Sequence, residues 1–180
     1  MKYKILIVDD ESSNLRALER LFRTDYDVMT AGSGSDALSL LEHHDMALLI
    51  ADQRMPEMSG IELMQRTAQL RPQMVRILLT GYTDVDSLIE AINTGQVYRY
   101  ITKPWNNDDL LLTVARALEH HETLKSRHNL QMINERLRSR LSEIAELAEA
   151  DDELSAEAEP RAGLPESKMN FGPDLTVGVV

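Results

Sequence analysis

Five short apolar runs punctuate the first hundred residues: KILIV (4–8), DVMTA (27–31), MALLIA (46–51), VRILLT (75–80) and VYRYIT (97–102). The first and third are continuous rather than alternating, and the set is rich in β-branched residues. That is the pattern of strands covered on both faces. Between the runs the apolar positions switch to helical spacing. Leu15, Leu18, Leu21 and Phe22 share one helical face, as do Ala37, Leu40 and Leu41. Ile61, Leu63 and Met64 mark a third helix, and Val85, Leu88, Ile89 and Ile92 a fourth. Ser12 or Ser13, Ser35, Ser59 and Asp84 stand where caps belong, and Gly95 where the fourth helix should end. Alternating β and α segments of this kind predict a parallel sheet with helices on both faces.

The fifth helix does not stop with the sheet. From Asn106 and Asn107 a helical pattern free of proline and glycine runs to Ala150. Leu110, Val114, Ala117, His121 and Leu124 keep a 4-3 spacing, and Leu130, Asn134, Leu137, Leu141, Ile144 and Ala148 resume it after a one-residue skip. A second register through Ile133 and Leu147 fits nearly as well. Such a stripe needs cover, from its own domain by folding back or from a second copy. The expectation is a coiled-coil dimer from residue 121 onward, with Asn134 favouring an in-register pair if the first register holds. From 151 to 180 the chain is acidic and then punctuated by proline and glycine, the composition of a linker or disordered tail. The closing LTVGVV is strand-like, as the start of a further domain would be.

Composition narrows the classes. With 180 residues, 43% hydrophobic and 27% charged, the chain suits one domain plus an appendage. The absence of cysteine excludes disulfides and thiolate metal sites. The apolar stretch after the N-terminus is too short for a signal-peptide core, and no run approaches the ~20 apolar residues of a membrane helix. A soluble, cytoplasmic protein is therefore expected, with no membrane partner. A net charge of −11, with seven acids and no base in residues 146–160, disfavours direct binding to nucleic acid as well.

In open parallel sheets, ligands gather outside the carboxyl ends of the strands. Asp9 and Asp10 follow the first strand and Asp52 the third; Thr80 closes the fourth, and Lys103, then Pro104, the fifth. Singly, each has an ordinary role as a helix cap, a solvated charge or a backbone partner. Together they are harder to dismiss. Carboxylates ~4 Å apart repel by about 4 kcal/mol per pair at an effective dielectric of ~20, against a total fold stability of only about 5–15 kcal/mol. A hard divalent cation such as Mg²⁺ resolves the conflict. Lys103 and the Thr80 hydroxyl suit an anion, and the whole set suits phosphoryl chemistry. Asp9 and Asp10 are adjacent and would share metal duty, which leaves Asp52 as the nucleophile. A Mg²⁺-dependent phosphatase of the haloacid dehalogenase type also attacks with a strand-end aspartate, but from the first strand in a D-x-D pattern. Here that strand ends in DD.

ILIVDDE, Asp52 followed by MP and MSG, LLTGY and YITKPW resemble the receiver domain of bacterial two-component response regulators, over residues 1–120. The resemblance implies a flavodoxin-like (βα)5 doubly wound α/β fold with strand order 2-1-3-4-5. It implies that Asp52 accepts a phosphoryl group from a histidine kinase. It further implies Mg²⁺ held by Asp10, Asp52 and the main-chain carbonyl of Arg54, with Asp9 acting through water. Thr80 and Lys103 would bind phosphoryl oxygens, Tyr100 would be an aromatic switch following Thr80, and the bond before Pro104 would be cis. Tyr98 shares a strand face with Tyr100, and spacing alone does not choose between them.

Arg54 and Tyr82, two residues past Asp52 and Thr80, are bulky at positions that in this family flank the path of the attacking water. Slow self-dephosphorylation is the expectation. DQRMP and GQVYRYITKPW look most like receivers ahead of HD-GYP phosphodiesterase or transcriptional-activator effectors, although no effector motif is visible. The expected protein is a switch rather than an enzyme. A receiver over 1–120 would relay phosphorylation through an extended fifth helix (106–150) and a coiled-coil homodimer to an effector beyond this chain. A phosphorylation-independent scaffold is the alternative, against which the complete set of acids, Thr80 and Lys103 stands.

Overall fold

The computed structural model describes residues 2–81 and 96–157. Along the chain come β1 (Lys4–Val8), α1 (Ser12–Phe22), β2 (Asp27–Ala31), α2 (Gly34–His43), β3 (Leu48–Asp52), α3 (Gly60–Leu70), β4 (Val75–Thr80), β5 (Arg99–Thr102) and α4 (Asn107–Glu157). The helix expected over Val85–Ile92, its ends at Asp84 and Gly95, and Tyr82 all lie outside the described residues, as does the tail from 158. Thus α4 is the helix anticipated as the fifth.

Every strand pair is parallel, in the order β2-β1-β3-β4-β5. Alternate side chains of the inner strands serve opposite layers, as a two-residue repeat requires. Leu6, Val8, Leu49, Ala51 and Leu78 pack with Ala37, Leu41, Leu63 and Met64 of α2 and α3. Ile5, Ile7, Leu48, Ile50, Ile77 and Leu79 pack with Leu18 and Phe22 of α1 and with Leu110, Val114 and Ala117 of α4. This double coverage explains the continuous apolar runs in β1 and β3. The sheet is the doubly wound α/β arrangement with the anticipated strand order.

Helix starts differ in detail from the expectation. Ser33, not Ser35, caps α2: its extended backbone lets Oγ accept from the Asp36 amide at 3.1 Å. Ser12 and Ser13 lie inside α1, whose N-cap is Glu11. Ser59 caps α3 as anticipated, completed by Glu62 in a reciprocal capping box. Asn106 opens α4, its side-chain oxygen accepting from the Asp108 and Asp109 amides.

The chain divides into two units, residues 1–132 and 133–180. In the first, Leu110, Val114 and Ala117 of α4 are fully buried, so the opening part of the 4-3 stripe is domain core. In the second, Ile133, Leu137, Leu141, Ile144 and Leu147 form an uncovered apolar stripe, each 52–66% exposed. No helix among the described residues is long and apolar enough to cross a membrane.

Candidate functional site

Strand register sets the geometry. Val8 pairs with Ala51, so Asp9, the residue after β1, stands level with Asp52, the last residue of β3. Asp52 is paired in turn with Leu79, and Thr80 with Thr102, which brings Thr80 and Lys103 to the same rim. The Lys103 amide donates to the Thr80 carbonyl at 2.8 Å, fixing the start of the segment after β5. The Lys103–Pro104 bond is cis.

Two carboxylates converge on one ammonium. Lys103 Nζ lies 2.9 Å from Asp9 Oδ2 and 2.5 Å from Asp52 Oδ1. Asp9 is 1% exposed and Asp52 6%. Burial works against the charge on Lys103, but hydrogen bonds and the charges of Asp52 and Asp9 outweigh it and hold the ammonium above its ordinary pKa. The remaining carboxylate oxygens take main-chain donors, Asp9 Oδ1 from the Glu11 amide at 2.8 Å and Asp52 Oδ2 from the Arg54 amide at 2.7 Å. Trp105 lies beyond, its ring centroid 6.0 Å from Lys103 Nζ, at the outer limit of a cation–π contact.

Asp10 is exposed at the rim rather than packed among the others. The repulsion argued from three converging acids is therefore met first by Lys103, across two of them. Among the described residues no three His, Cys, Asp or Glu side chains form a group able to hold a metal ion. Still, three carboxylates against one ammonium leave two formal negative charges at the crevice. That donor set fits a dication that keeps most of its water and needs only one or two carboxylates.

The other anticipated residues are placed as follows. Thr80 is buried, and its hydroxyl donates to the Gly81 carbonyl at 2.9 Å. Tyr100 is 46% exposed on the edge strand and lines a hollow of about 560 Å³ with Asp109, Leu112 and Arg116. Tyr98 is the tyrosine that packs, its ring stacked on His120 with centroids 5.2 Å apart. Arg54 is an exposed side chain in the loop after β3.

Two contributors escaped the sequence reading. Asn14, on α1, donates from Nδ2 to Asp9 Oδ2 at 3.0 Å, the same oxygen that Lys103 holds. Its only signal was an amide side chain five residues past Asp9, in the first turn of a helix. Gly60 abuts Asp52 from below: a Cβ there would lie 2.3 Å from the Asp52 carbonyl oxygen. In the sequence, Gly60 shows only as the last residue of the MSG motif.

Similarity to known proteins follows the same residues. The family model described as the response regulator receiver domain matches residues 5–115. The hydrogenase transcriptional regulatory protein HoxA of Bradyrhizobium diazoefficiens is 39% identical over 121 residues, which cover 67% of this chain and 25% of HoxA. The transcriptional regulatory protein ZraR of Escherichia coli is 35% identical over 121 residues, covering 67% of this chain and 27% of ZraR. Among solved structures, the signal receiver domain of an HD domain-containing protein from Pseudomonas fluorescens Pf-5 superposes with a TM-score of 0.67 at 37% identity. That alignment covers 70% of this chain and 93% of the other. The chain spans about a quarter of the length of the curated relatives it matches.

Proposed function

The chain belongs to the response regulator receiver domain family, and on that premise we propose that it is a phosphorylation-controlled switch with Asp52 as phosphoacceptor. Receiver domains are signalling switches, phosphorylated by histidine kinases and linked to effectors. The observation that carries the assignment to Asp52 is the Lys103 bridge. It joins a buried carboxylate at the mouth of the central strand to a cation that can pass to an incoming anion.

In the step we infer, an Asp52 carboxylate oxygen attacks the phosphorus of the kinase's phosphohistidine. The O–P bond forms as the P–N bond breaks, and that electron pair leaves with the imidazole nitrogen. Lys103 passes from the two carboxylates to a phosphoryl oxygen, and the Thr80 hydroxyl turns from the Gly81 carbonyl to another. A bound Mg²⁺ would be held by Asp10, Asp52 and the Arg54 carbonyl, with Asp9 through water, and would neutralise charge on the phosphoryl oxygens. Tyr100, half-exposed on the edge strand, follows Thr80 and alters the face around β5. At positions that in this family flank the path of the attacking water, Arg54 and Tyr82 would slow hydrolysis of the phosphoryl group, so Arg54→Ala should shorten its lifetime. The apolar stripe from Ile133 to Leu147 takes a second copy of the chain as a coiled coil, which carries the change toward an effector. The resemblance to HoxA and ZraR favours a transcriptional output.

The test is incubation with Mg²⁺ and a small phosphodonor, read by intact mass. One base-labile phosphate is expected, absent in Asp52→Asn. Phosphate retained in that variant, or repeated turnover of unrelated phosphoesters, would remove Asp52 from the role.

A further inference from the structure

Asp9 Oδ2 carries two side-chain donors, and phosphorylation at Asp52 would call one of them away. The oxygen belongs to a side chain that is 1% exposed, so bulk water does not readily replace a lost partner. Lys103 Nζ approaches it at 2.9 Å and Asn14 Nδ2 at 3.0 Å, while the Glu11 amide occupies Oδ1. The Asn14 amide also reaches Glu11 Oε2, at 3.3 Å. Phosphorylation at Asp52 draws Lys103 toward the new phosphoryl oxygens. Without Asn14, that movement would leave Asp9 Oδ2 with no donor from the protein, and such a loss opposes the movement itself.

We propose that Asn14 is a positioning residue: its side-chain amide keeps Asp9 satisfied while Lys103 transfers from Asp9 to a phosphoryl oxygen on Asp52. The inference rests on the phosphoacceptor reading given above. Asn14 is suited to the task because it is neutral. A cation there would compete with Lys103 for Asp9 and cancel charge at the crevice. A carboxylate would add a further acid and donate nothing. In the resting protein the two donors overlap in duty, so removing Asn14 alone leaves Asp9 held by Lys103. Its contribution emerges only when the lysine moves, which separates it from a merely structural residue.

The experiment uses the full chain with Mg²⁺ and fluoroberyllate, a phosphoryl mimic, followed by ¹⁹F NMR. In Asn14→Leu and Asn14→Ala, fluoroberyllate affinity should fall about ten-fold, the scale of one unsatisfied buried acceptor. Without fluoroberyllate, their unfolding midpoints should stay within about 2 °C of wild type. In the wild-type protein, the Asn14 side-chain amide proton should move downfield on saturation, as it becomes the sole side-chain donor to Asp9 Oδ2. Unchanged affinity in both variants, or an amide signal that does not move, overturns the role of Asn14 alone. Failure of the wild type to bind fluoroberyllate, or equal binding by Asp52→Asn, overturns the phosphoacceptor reading and this inference with it.

Discussion

Replacing Lys103 by methionine keeps the aliphatic stem and deletes the ammonium that Asp9 and Asp52 share. At separations of 2.9 and 2.5 Å, each contact is worth about 6 kcal/mol of Coulomb attraction at an effective dielectric of ~20. Most of that is offset by desolvation of the three groups. Breaking a buried ion pair costs about 3–5 kcal/mol net. Because the Lys103 side chain is 26% exposed, water screens part of the interaction, and a loss of about 2–3 kcal/mol is the better figure. For a domain of this size that corresponds to a fall of about 10 °C in the unfolding midpoint. The assay is circular dichroism against temperature at pH 7 in EDTA, repeated in excess Mg²⁺. Two buried carboxylates without a counter-charge should bind a dication more avidly, so Mg²⁺ should raise the midpoint further in Lys103→Met than in wild type. A variant within about 2 °C of wild type in EDTA, or one that Mg²⁺ stabilises no more than wild type, would refute the electrostatic account of the crevice.

Three further outcomes follow from individual contacts. Gly60→Ala would place a Cβ 2.3 Å from the Asp52 carbonyl oxygen and 2.6 Å from Leu78 Cδ1. Backbone cannot yield there cheaply, so urea denaturation should show a loss of about 3 kcal/mol. Glu62 is held below its ordinary pKa of 4.5, first by the Ser59 amide and then by the Ser59 hydroxyl and Arg66. A depressed acid stabilises the fold above its unfolded pKa and loses that contribution as pH falls through the folded value. The midpoint gap between wild type and Glu62→Gln should therefore narrow below pH 4.5; a constant gap from pH 7 to pH 3 would count against the capping box as the cause. Leu141→Asp, in the exposed stripe, should turn a dimer into a monomer in sedimentation equilibrium while leaving receiver unfolding unchanged; a wild-type chain that sediments as a monomer defeats the coiled coil.

What the sequence disclosed depended on whether local pattern or distant contact decided the matter. The bounds of β1, β2 and β4 coincide with the runs at 4–8, 27–31 and 75–80; for β1 and β4 the reason is that a strand buried on both faces admits little but apolar residues, whereas β2 is a half-exposed edge strand. The rim residues were legible for the same reason: a charge that ends an apolar run is conspicuous. The choice between Ser33 and Ser35 was not, since both can accept a hydrogen bond and only the backbone angles at Ser33 settle which does. The 4-3 stripe was legible as a stripe but not by its partner. Leu110, Val114 and Ala117 answer to the sheet, whereas Leu137 and Leu141 are left bare, and the spacing is alike in both stretches. Arg76 reads as an interruption of β4. It is buried, donating to the carbonyls of Arg71 and Gln96, with burial pushing its pKa down to about 10. The attachment of Lys103 to Asp9 spans 94 residues, and no window along the chain could have displayed it.

The alternation in β1 has an evolutionary corollary. Ile5 and Ile7 serve one layer while Leu6 and Val8 serve the other. Deleting a single residue within that strand would turn the side chains on one side of the cut to the opposite layer. Lengthening or shortening of this protein over time should therefore be confined to its connections. The inner strands can drift in identity, but their length is effectively frozen.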